Sequence, residues 1–199
     1  MGFAGLLPHE AAQCIAPAEM LHSLPNISRP LVLVGLMGVG KSTVGRRLAK
    51  RLGMEFVDSD TEIEQAAGYS VSEIFERFGE PSFRDGERRV IARLVEGPPK
   101  VIATGGGAFM DPLTRSLILE RCIAIWLDAD PAVLAERVAR RDSRPLLKDK
   151  DPLVVLRDLA AKRNPIYGEA HIHVRSQPTP HDHTVDQILD GLSKWDPQG

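Results

Sequence analysis

Aromatic residues and cysteines are scarce in this chain. Phe, Trp and Tyr together account for 5% of its 199 residues, and its two cysteines are Cys14 and Cys122. Two cysteines cannot build a disulfide framework, and a separation of this length is not the spacing of metal ligands. We therefore expect the protein to work in a reducing compartment, the cytoplasm.

Long apolar runs and a marked excess of one charge are also absent. No run approaches the roughly 20 apolar residues that a membrane-spanning helix requires, and the formal net charge is -2. This composition gives no reason to expect a membrane or a nucleic acid as a partner, and we predict neither. The chain length suits a single domain, and we expect a monomer.

The N-terminal 30 residues differ in composition from the rest of the chain. The first 28 contain neither Lys nor Arg, and four prolines fall within the first 30. A secretory signal needs basic residues and a longer apolar segment, and a transit peptide is usually rich in arginine. We interpret residues 1–30 as a partly disordered extension, with a docked extra helix as the alternative. Residues 31–199 then form one domain.

From Leu31 onward, short apolar runs rich in β-branched residues alternate with segments of helical periodicity. The predicted strands are 31–34, 55–57, 100–103, 122–127 and 171–174. The predicted helices are 41–52, 61–96 with breaks near Gly68 and Gly79, a helix after Pro112, 131–140, 153–163 and 185–192. This alternation predicts an α/β fold in which helices flank a parallel sheet of five strands. Between residues 140 and 152 the pattern is lost, and we predict a mobile loop.

Residues 35–42, Gly-Leu-Met-Gly-Val-Gly-Lys-Ser, match the phosphate-binding pattern G-x-x-x-x-G-K-[ST] between a predicted strand and a predicted helix. Glycines let successive backbone N–H groups curl around phosphate oxygens, and the helix N-terminus adds the positive end of its dipole. We expect Lys41 to reach the β- and γ-phosphates of ATP and the Ser42 hydroxyl to ligate Mg²⁺. The alternative is a glycine turn that only joins strand to helix, and the complete motif disfavours it.

Two aspartates are candidates for the magnesium-binding acid, which P-loop proteins usually supply from the end of a different strand. The strand at 100–103 runs into glycines 105–107 and supplies no carboxylate, although an acid at such a strand end usually holds the magnesium. Asp58 and Asp60 follow the strand at 55–57 instead, and in extended chain they would project to the same side. One acid can hold Mg²⁺, and the other can accept a hydrogen bond from an attacking hydroxyl, and its proton. The alternative is that Ser59 or Asp60 only starts the next helix.

Taken together, these motifs resemble those of the shikimate kinase family over about residues 31–192. The matching segments are Gly-Leu-Met-Gly-Val-Gly-Lys-Ser-Thr (35–43), Asp58-Ser-Asp60, Phe83-Arg84-Asp-Gly-Glu87, Thr104-Gly-Gly-Gly107, Arg144-Pro-Leu-Leu147 and Arg163-Asn-Pro-Ile-Tyr167. The resemblance implies a P-loop fold of the nucleoside-monophosphate-kinase type with a mobile lid at about 140–152. It also implies transfer of the γ-phosphoryl of ATP to the 3-hydroxyl of shikimate, with Mg²⁺ as cofactor.

The resemblance assigns residues to the nucleotide, the metal and the catalytic step. The ATP-binding residues that it implies are Gly38, Val39, Gly40, Lys41, Ser42, Thr43, Arg137 against the adenine, and Arg144 on the lid. The implied metal ligands are Ser42 and Asp58. The implied catalytic residues are Lys41, Asp60 as the candidate base, and Arg144.

The resemblance also implies a binding site for shikimate. Arg84 and Arg163 would hold the carboxylate, with Glu87 in support of Arg84. The ring hydroxyls would meet Asp60 and the glycines Gly105, Gly106 and Gly107. Guanidinium groups suit a planar carboxylate, and Glu87 lies three residues after Arg84 on a predicted helix, where it can hold that side chain. The alternatives are an ordinary exposed ion pair and a plain glycine turn.

Two other functions are compatible with the phosphate-binding loop. One is another small-molecule kinase of the same fold, such as a gluconate kinase, whose substrate is also a hydroxylated carboxylate. The other is a nucleotide-dependent regulatory module that has lost catalysis. The Asp-Ser-Asp and Gly-Gly-Gly elements disfavour the first, and the retention of both acids and both arginines disfavours the second.

Overall fold

The computed structural model describes residues 27–139, 151–176 and 180–195, and its strands form one parallel sheet. They are β1 (Leu31–Val34), β2 (Glu55–Asp58), β3 (Lys100–Ala103), β4 (Ile123–Asp128) and β5 (Ile172–Arg175). Their order across the sheet is β2-β3-β1-β4-β5. The predicted α/β architecture is confirmed. Residues 1–26 and most of the predicted lid, 140–150, lie outside the described residues, so the division into extension and domain stays a prediction.

Seven α-helices and a 3₁₀ turn accompany the sheet in the described ranges. They are α1 (Lys41–Leu52), α2 (Ser59–Ala67), α3 (Val71–Val95), the 3₁₀ turn at Ala108–Met110, α4 (Pro112–Arg121), α5 (Pro131–Ala139), α6 (Pro152–Tyr167) and α7 (His181–Lys194). The two predicted breaks are confirmed, since Gly68 ends α2 at φ 70° and Gly79 bends α3 at φ 77°. None of these helices is both long enough and apolar enough to cross a bilayer.

The predicted start of the last helix is wrong by four residues. Helix α7 begins at His181, whereas the apolar periodicity becomes visible only at Val185. The residue before the helix is Pro180, which has no polar side chain and so gives no capping signal. His181 and His183 therefore lie in the first turn of this helix. The start of α6 differs by one residue, because Asp151 caps that helix by accepting from Leu153 N–H.

Strand β1 is the centre of the core. All four of its residues are fully buried, because β3 and β4 pair with its two edges and helices cover both faces. A strand that is buried on both sides needs an unbroken apolar sequence, and Leu-Val-Leu-Val provides it.

The register brings the ends of three strands together. Leu33 of β1 pairs with Ala103 of β3, which also pairs with Asp58 of β2. The segments that follow these residues therefore leave the sheet side by side at its carboxyl edge, where open α/β sheets bind ligands. They are the phosphate-binding loop, the start of α2 and glycines 105–107.

Helix α1 packs closely against the sheet at Gly45. A Cβ atom there would lie 2.6 Å from Cε2 of Phe56 and 3.1 Å from Cδ1 of Leu33. A methyl group would therefore push α1 away from the sheet. Gly86, in the interior of α3, is the opposite case, because a Cβ there would meet nothing within 4 Å.

We expect Gly45→Ala to lower the free energy of unfolding by about 1–3 kcal/mol, because overpacking outweighs the better helix propensity of alanine. Gly86→Ala should raise it by up to about 1 kcal/mol, because the gain in propensity meets no clash. Urea unfolding of both variants checks this. Stabilisation by Gly45→Ala would mean that the Phe56 ring moves aside without a loss of packing energy, and would contradict this prediction.

Candidate active site

The phosphate-binding loop has backbone angles that favour glycine. Gly35, Gly38 and Gly40 have φ values of 135°, 81° and 98°, a region that side chains rarely adopt. Gly40 is the N-cap of α1, whose first turn contains no acidic residue. The N–H groups and the positive dipole end of α1 are thus presented to this loop, as the predicted phosphate site requires.

The phosphate-binding loop is also held in place by contacts with α5 and by hydrogen bonds from Lys41. A Cβ atom at Gly38 would lie 2.7 Å from Cγ1 of Val138 on α5, and Val39 is fully buried. Lys41 Nζ donates hydrogen bonds to the carbonyl oxygens of Gly35 at 2.8 Å and Leu36 at 3.0 Å. The ammonium group therefore lies over the loop, on the side where a phosphate would bind.

Asp58 joins the phosphate-binding loop to the start of α2. Its Oδ2 accepts a hydrogen bond from Ser42 Oγ at 2.6 Å, and its Oδ1 accepts from Asp60 N–H at 3.1 Å as the N-cap of the helix. Both predicted metal ligands are thus in contact. The extended-chain argument for Asp58 and Asp60 is wrong, because the backbone turns helical at Ser59 and places Asp60 in the first turn of α2.

Asp60 and Glu87 converge on Gly105. A Cβ atom at this glycine would lie 2.8 Å from Asp60 Oδ1 and 3.1 Å from Glu87 Oε1. Two carboxylates from different helices therefore face the same point of the backbone, and a side chain at position 105 would displace one of them. The glycine here is required by close approach and is more than a plain turn residue.

Arg84 is oriented by Glu87, as predicted. Arg84 Nη1 donates to Glu87 Oε2 at 2.6 Å, and Arg84 Nη2 lies 3.1 Å from Glu80 Oε1. The Glu87 side chain is only 2% exposed, so this is not an ordinary exposed ion pair. The Arg84 guanidinium lies directly against Gly107, where a Cβ atom would overlap it.

Burial raises the pKa of Glu87. Desolvation raises its pKa from 4.5 to about 7, the Arg84 guanidinium acts in the opposite direction, and the charges of Asp60 and Asp111 raise the pKa further. The carboxyl group therefore takes up a proton near neutral pH, beside the candidate base.

Arg163 and Tyr167 of α6 meet the carbonyl oxygen of Gly106. Arg163 Nη1 donates to this oxygen at 2.9 Å, and Tyr167 Oη donates to it as well. A Cβ atom at Gly106 would lie 3.4 Å from Met37 N and 3.5 Å from Gly35 O. Gly106 is thus packed between α6 and the phosphate-binding loop.

Arg137 lies near the other side of the phosphate-binding loop. Its Nη1 is buried and has no hydrogen-bond partner within the described ranges. Burial lowers the pKa of His181, and the charges of Arg137 and Arg47 lower it further. A Cβ atom at Gly40 would lie 3.4 Å from His181 Cε1. Arg137 and His181 therefore border the predicted nucleotide site, while Arg144 lies outside the described residues.

Comparison with known proteins decides the family. The family model for shikimate kinase matches residues 37–193. The chain belongs to the shikimate kinase family. The shikimate kinase of Caulobacter vibrioides is 58% identical over 168 residues, which cover 84% of each chain. Membership in this family makes the chain an ATP-dependent kinase.

Solved structures agree with the family and with the fold. The shikimate kinase of Acinetobacter baumannii, solved in complex with shikimate, has a TM-score of 0.79 and 39% identity, covering 82% of this chain and 92% of that one. A gluconokinase from Sinorhizobium meliloti 1021 has a TM-score of 0.58 at 19% identity, covering 83% and 92%. At that identity the likeness shows a shared fold alone.

Two residues at this shikimate kinase site had no predicted role. Tyr167 was part of a recognised motif, and its i,i+4 spacing from Arg163 on one helix face was the available signal. His181 gave no such signal, because nothing in the local pattern places its helix beside Gly40. His171 and His173 contribute to packing away from this site, since His171 Nδ1 accepts from Ala124 N–H and the His173 ring stacks on Trp126.

The raised pKa of Glu87 predicts how the free energy of unfolding depends on pH. The unfolded pKa is near 4.5 and the folded pKa about 7, so between these values the folded state binds more protons. The free energy of unfolding should therefore fall as pH rises from about 5 to about 7.5. Glu87→Gln should reduce this fall by on the order of 2 kcal/mol, measured by urea unfolding across the range.

Glu80→Gln is the matched control for this experiment. Glu80 also pairs with Arg84, but its side chain is 63% exposed, so the substitution should leave the pH slope unchanged. Equal slopes for the wild-type protein and Glu87→Gln would mean that Glu87 stays ionised in the folded state.

Proposed function

We propose that this chain transfers the γ-phosphoryl of ATP to the 3-hydroxyl of shikimate, giving shikimate 3-phosphate and ADP. The observation that carries the proposal is the contact between glycines 105–107 and the phosphate-binding loop, with Arg84, Arg163 and Asp60 around those glycines. An acceptor bound there would lie beside the donor phosphates. The proposed setting is a monomer of the cytoplasm that serves the chorismate pathway to aromatic amino acids.

The two arginines suit the carboxylate of shikimate. Arg84 lies against Gly107, and Arg163 is bonded to Gly106, so both guanidinium groups border the same short segment of backbone. Planar guanidinium groups bind carboxylates through paired, charge-assisted hydrogen bonds. Glu87 limits the movement of Arg84 and so reduces the entropy that substrate binding has to overcome.

Asp60 is the proposed partner of the reacting hydroxyl. Its carboxylate faces Gly105, on the side of the glycine segment that also meets Glu87. There it can accept a hydrogen bond from the 3-hydroxyl and take its proton as the bond to phosphorus forms. Phosphoryl transfer needs mainly positioning and charge neutralisation, and Lys41, Arg137 and the lid residue Arg144 are the proposed contacts to ATP.

Magnesium is the proposed cofactor, and the residues present fit it. The Ser42 hydroxyl and the Asp58 carboxylate are 2.6 Å apart at the phosphate-binding loop, and both are the hard oxygen donors that Mg²⁺ prefers. When bound, the ion neutralises charge on the phosphates of ATP. Ser42 and Asp58 are the residues of this chain that would hold it.

The proposal is tested by coupled measurement of ADP release with Mg-ATP. Shikimate should support turnover, while gluconate and quinate at equal concentration should not. Turnover with gluconate alone would favour the other small-molecule kinase. Intact ATP binding without turnover on any of the three acceptors would favour a regulatory module and overturn the proposed function.

Arg84→Ala should raise the KM for shikimate on the order of 10- to 100-fold, because it removes charge-assisted hydrogen bonds to the carboxylate. The KM for ATP should stay within about twofold, since Arg84 is not a proposed ATP contact. Steady-state kinetics with each substrate varied in turn measures both.

Two further variants make this result specific. Arg89→Ala, on the same helix but 77% exposed, should leave both KM values unchanged. Arg84→Lys keeps a positive charge beside buried Glu87 and protects the fold, yet it should still weaken shikimate binding because the planar fork is lost. An equal loss of affinity for ATP and shikimate in Arg84→Ala would contradict the assignment.

A further inference from the structure

Tyr167 is a fully buried residue whose hydroxyl group contacts the glycine segment and is also hydrogen-bonded to the Arg163 side chain. Its side chain has no solvent exposure, and its ring stacks on Phe109 and Trp126 at centroid distances of 6.3 Å and 6.0 Å. Its hydroxyl group donates to the carbonyl oxygen of Gly106. The stack fixes the ring, so the position of the hydroxyl is fixed as well.

The Gly106 carbonyl accepts from two donors of α6. Arg163 Nη1 lies 2.9 Å away, and Tyr167 Oη is the second donor, which together use the two lone pairs of the oxygen. A trans peptide points its C=O and its N–H in opposite directions. Holding the Gly106 carbonyl toward α6 therefore turns the Gly107 N–H away from α6 and sets the plane of this peptide.

The two donors differ in whether they are also proposed to contact the substrate. Arg163 is a proposed ligand of the shikimate carboxylate, so its N–H groups are shared between substrate and Gly106. Tyr167 has no proposed substrate contact and can keep its bond throughout. Burial raises the pKa of Tyr167 to about 12, so the hydroxyl keeps its proton at any pH at which the enzyme would work.

We propose that Tyr167 is a positioning residue for substrate binding. Its hydroxyl group fixes the Gly106 peptide, so that the backbone of the glycine segment meets the acceptor in one orientation and Arg163 is directed toward the carboxylate. The substrate named here rests on the proposed function, whereas the fixing of the peptide does not.

Tyr167→Phe is the test, because it keeps the ring and its stacking and removes only the hydroxyl group. Loss of its hydrogen bonds to Gly106 and Arg163 should raise the KM for shikimate about fivefold to tenfold, which corresponds to about 1 kcal/mol, with the KM for ATP unchanged. Amide hydrogen exchange of the peptide that covers 104–108 should also become faster in the free protein.

Ile188→Val is the control for a loss of stability alone. Ile188 is fully buried on α7, and the loss of one methyl group should destabilise the fold about as much as the loss of a hydrogen bond does. It should change neither the KM for shikimate nor exchange at 104–108.

The outcomes separate this inference from the proposed function. A higher KM for shikimate together with faster exchange in Tyr167→Phe supports the positioning role. If the wild-type protein does not phosphorylate shikimate but Tyr167→Phe still shows faster exchange, the proposed function is wrong and the positioning of Gly106 by Tyr167 is supported. Unchanged exchange and KM, or equal rises in both KM values, would overturn the inference.

Discussion

The arrangement of this site depends on three consecutive glycines, each of which lies close to a different part of the site. Gly105 faces the carboxylates of Asp60 and Glu87, Gly106 lies against the phosphate-binding loop, and Gly107 lies against the Arg84 guanidinium. Each glycine thus brings a different element within contact of the same stretch of backbone. A Cβ atom at Gly105 or Gly107 would displace the carboxylate of Asp60 or the guanidinium of Arg84 from its present position, which matters for a reaction that depends on positioning.

Two opposing effects act on the charge of Glu87, its ion pair with Arg84 and its burial, which favours the protonated carboxyl group. The carboxyl group of Glu87 is taken out of water, which costs free energy, and the Arg84 guanidinium offsets part of that cost. The pKa of Glu87 rises to about 7 in consequence. The pair is therefore poor evidence for stability, and its benefit is orientation. An arginine that is fixed before the substrate arrives loses less entropy when it binds a carboxylate.

Features with a local cause could be predicted from the sequence, and features that arise from distant contacts could not. The phosphate-binding loop and the bend at Gly79 follow from glycines within a few residues. The start of α2 was a local feature that the extended-chain argument missed, since Asp58 is a favourable N-cap residue. The contact between Tyr167 and Gly106 spans 61 residues, and no periodicity reports it. The position of His181 beside Gly40 depends likewise on how α7 packs against α1.

The direct contact between the glycine segment and the phosphate-binding loop has a consequence for phosphoryl transfer. Gly35 O accepts from Lys41 and also lies beside Gly106, whose own carbonyl is held by α6. With shikimate at the glycine segment and ATP at the phosphate-binding loop, as proposed, the backbone contact between these two segments would set the distance between acceptor and donor. Transfer in line requires this distance to be held within a fraction of an ångström, and backbone packed against backbone deforms less than a chain of side chains does.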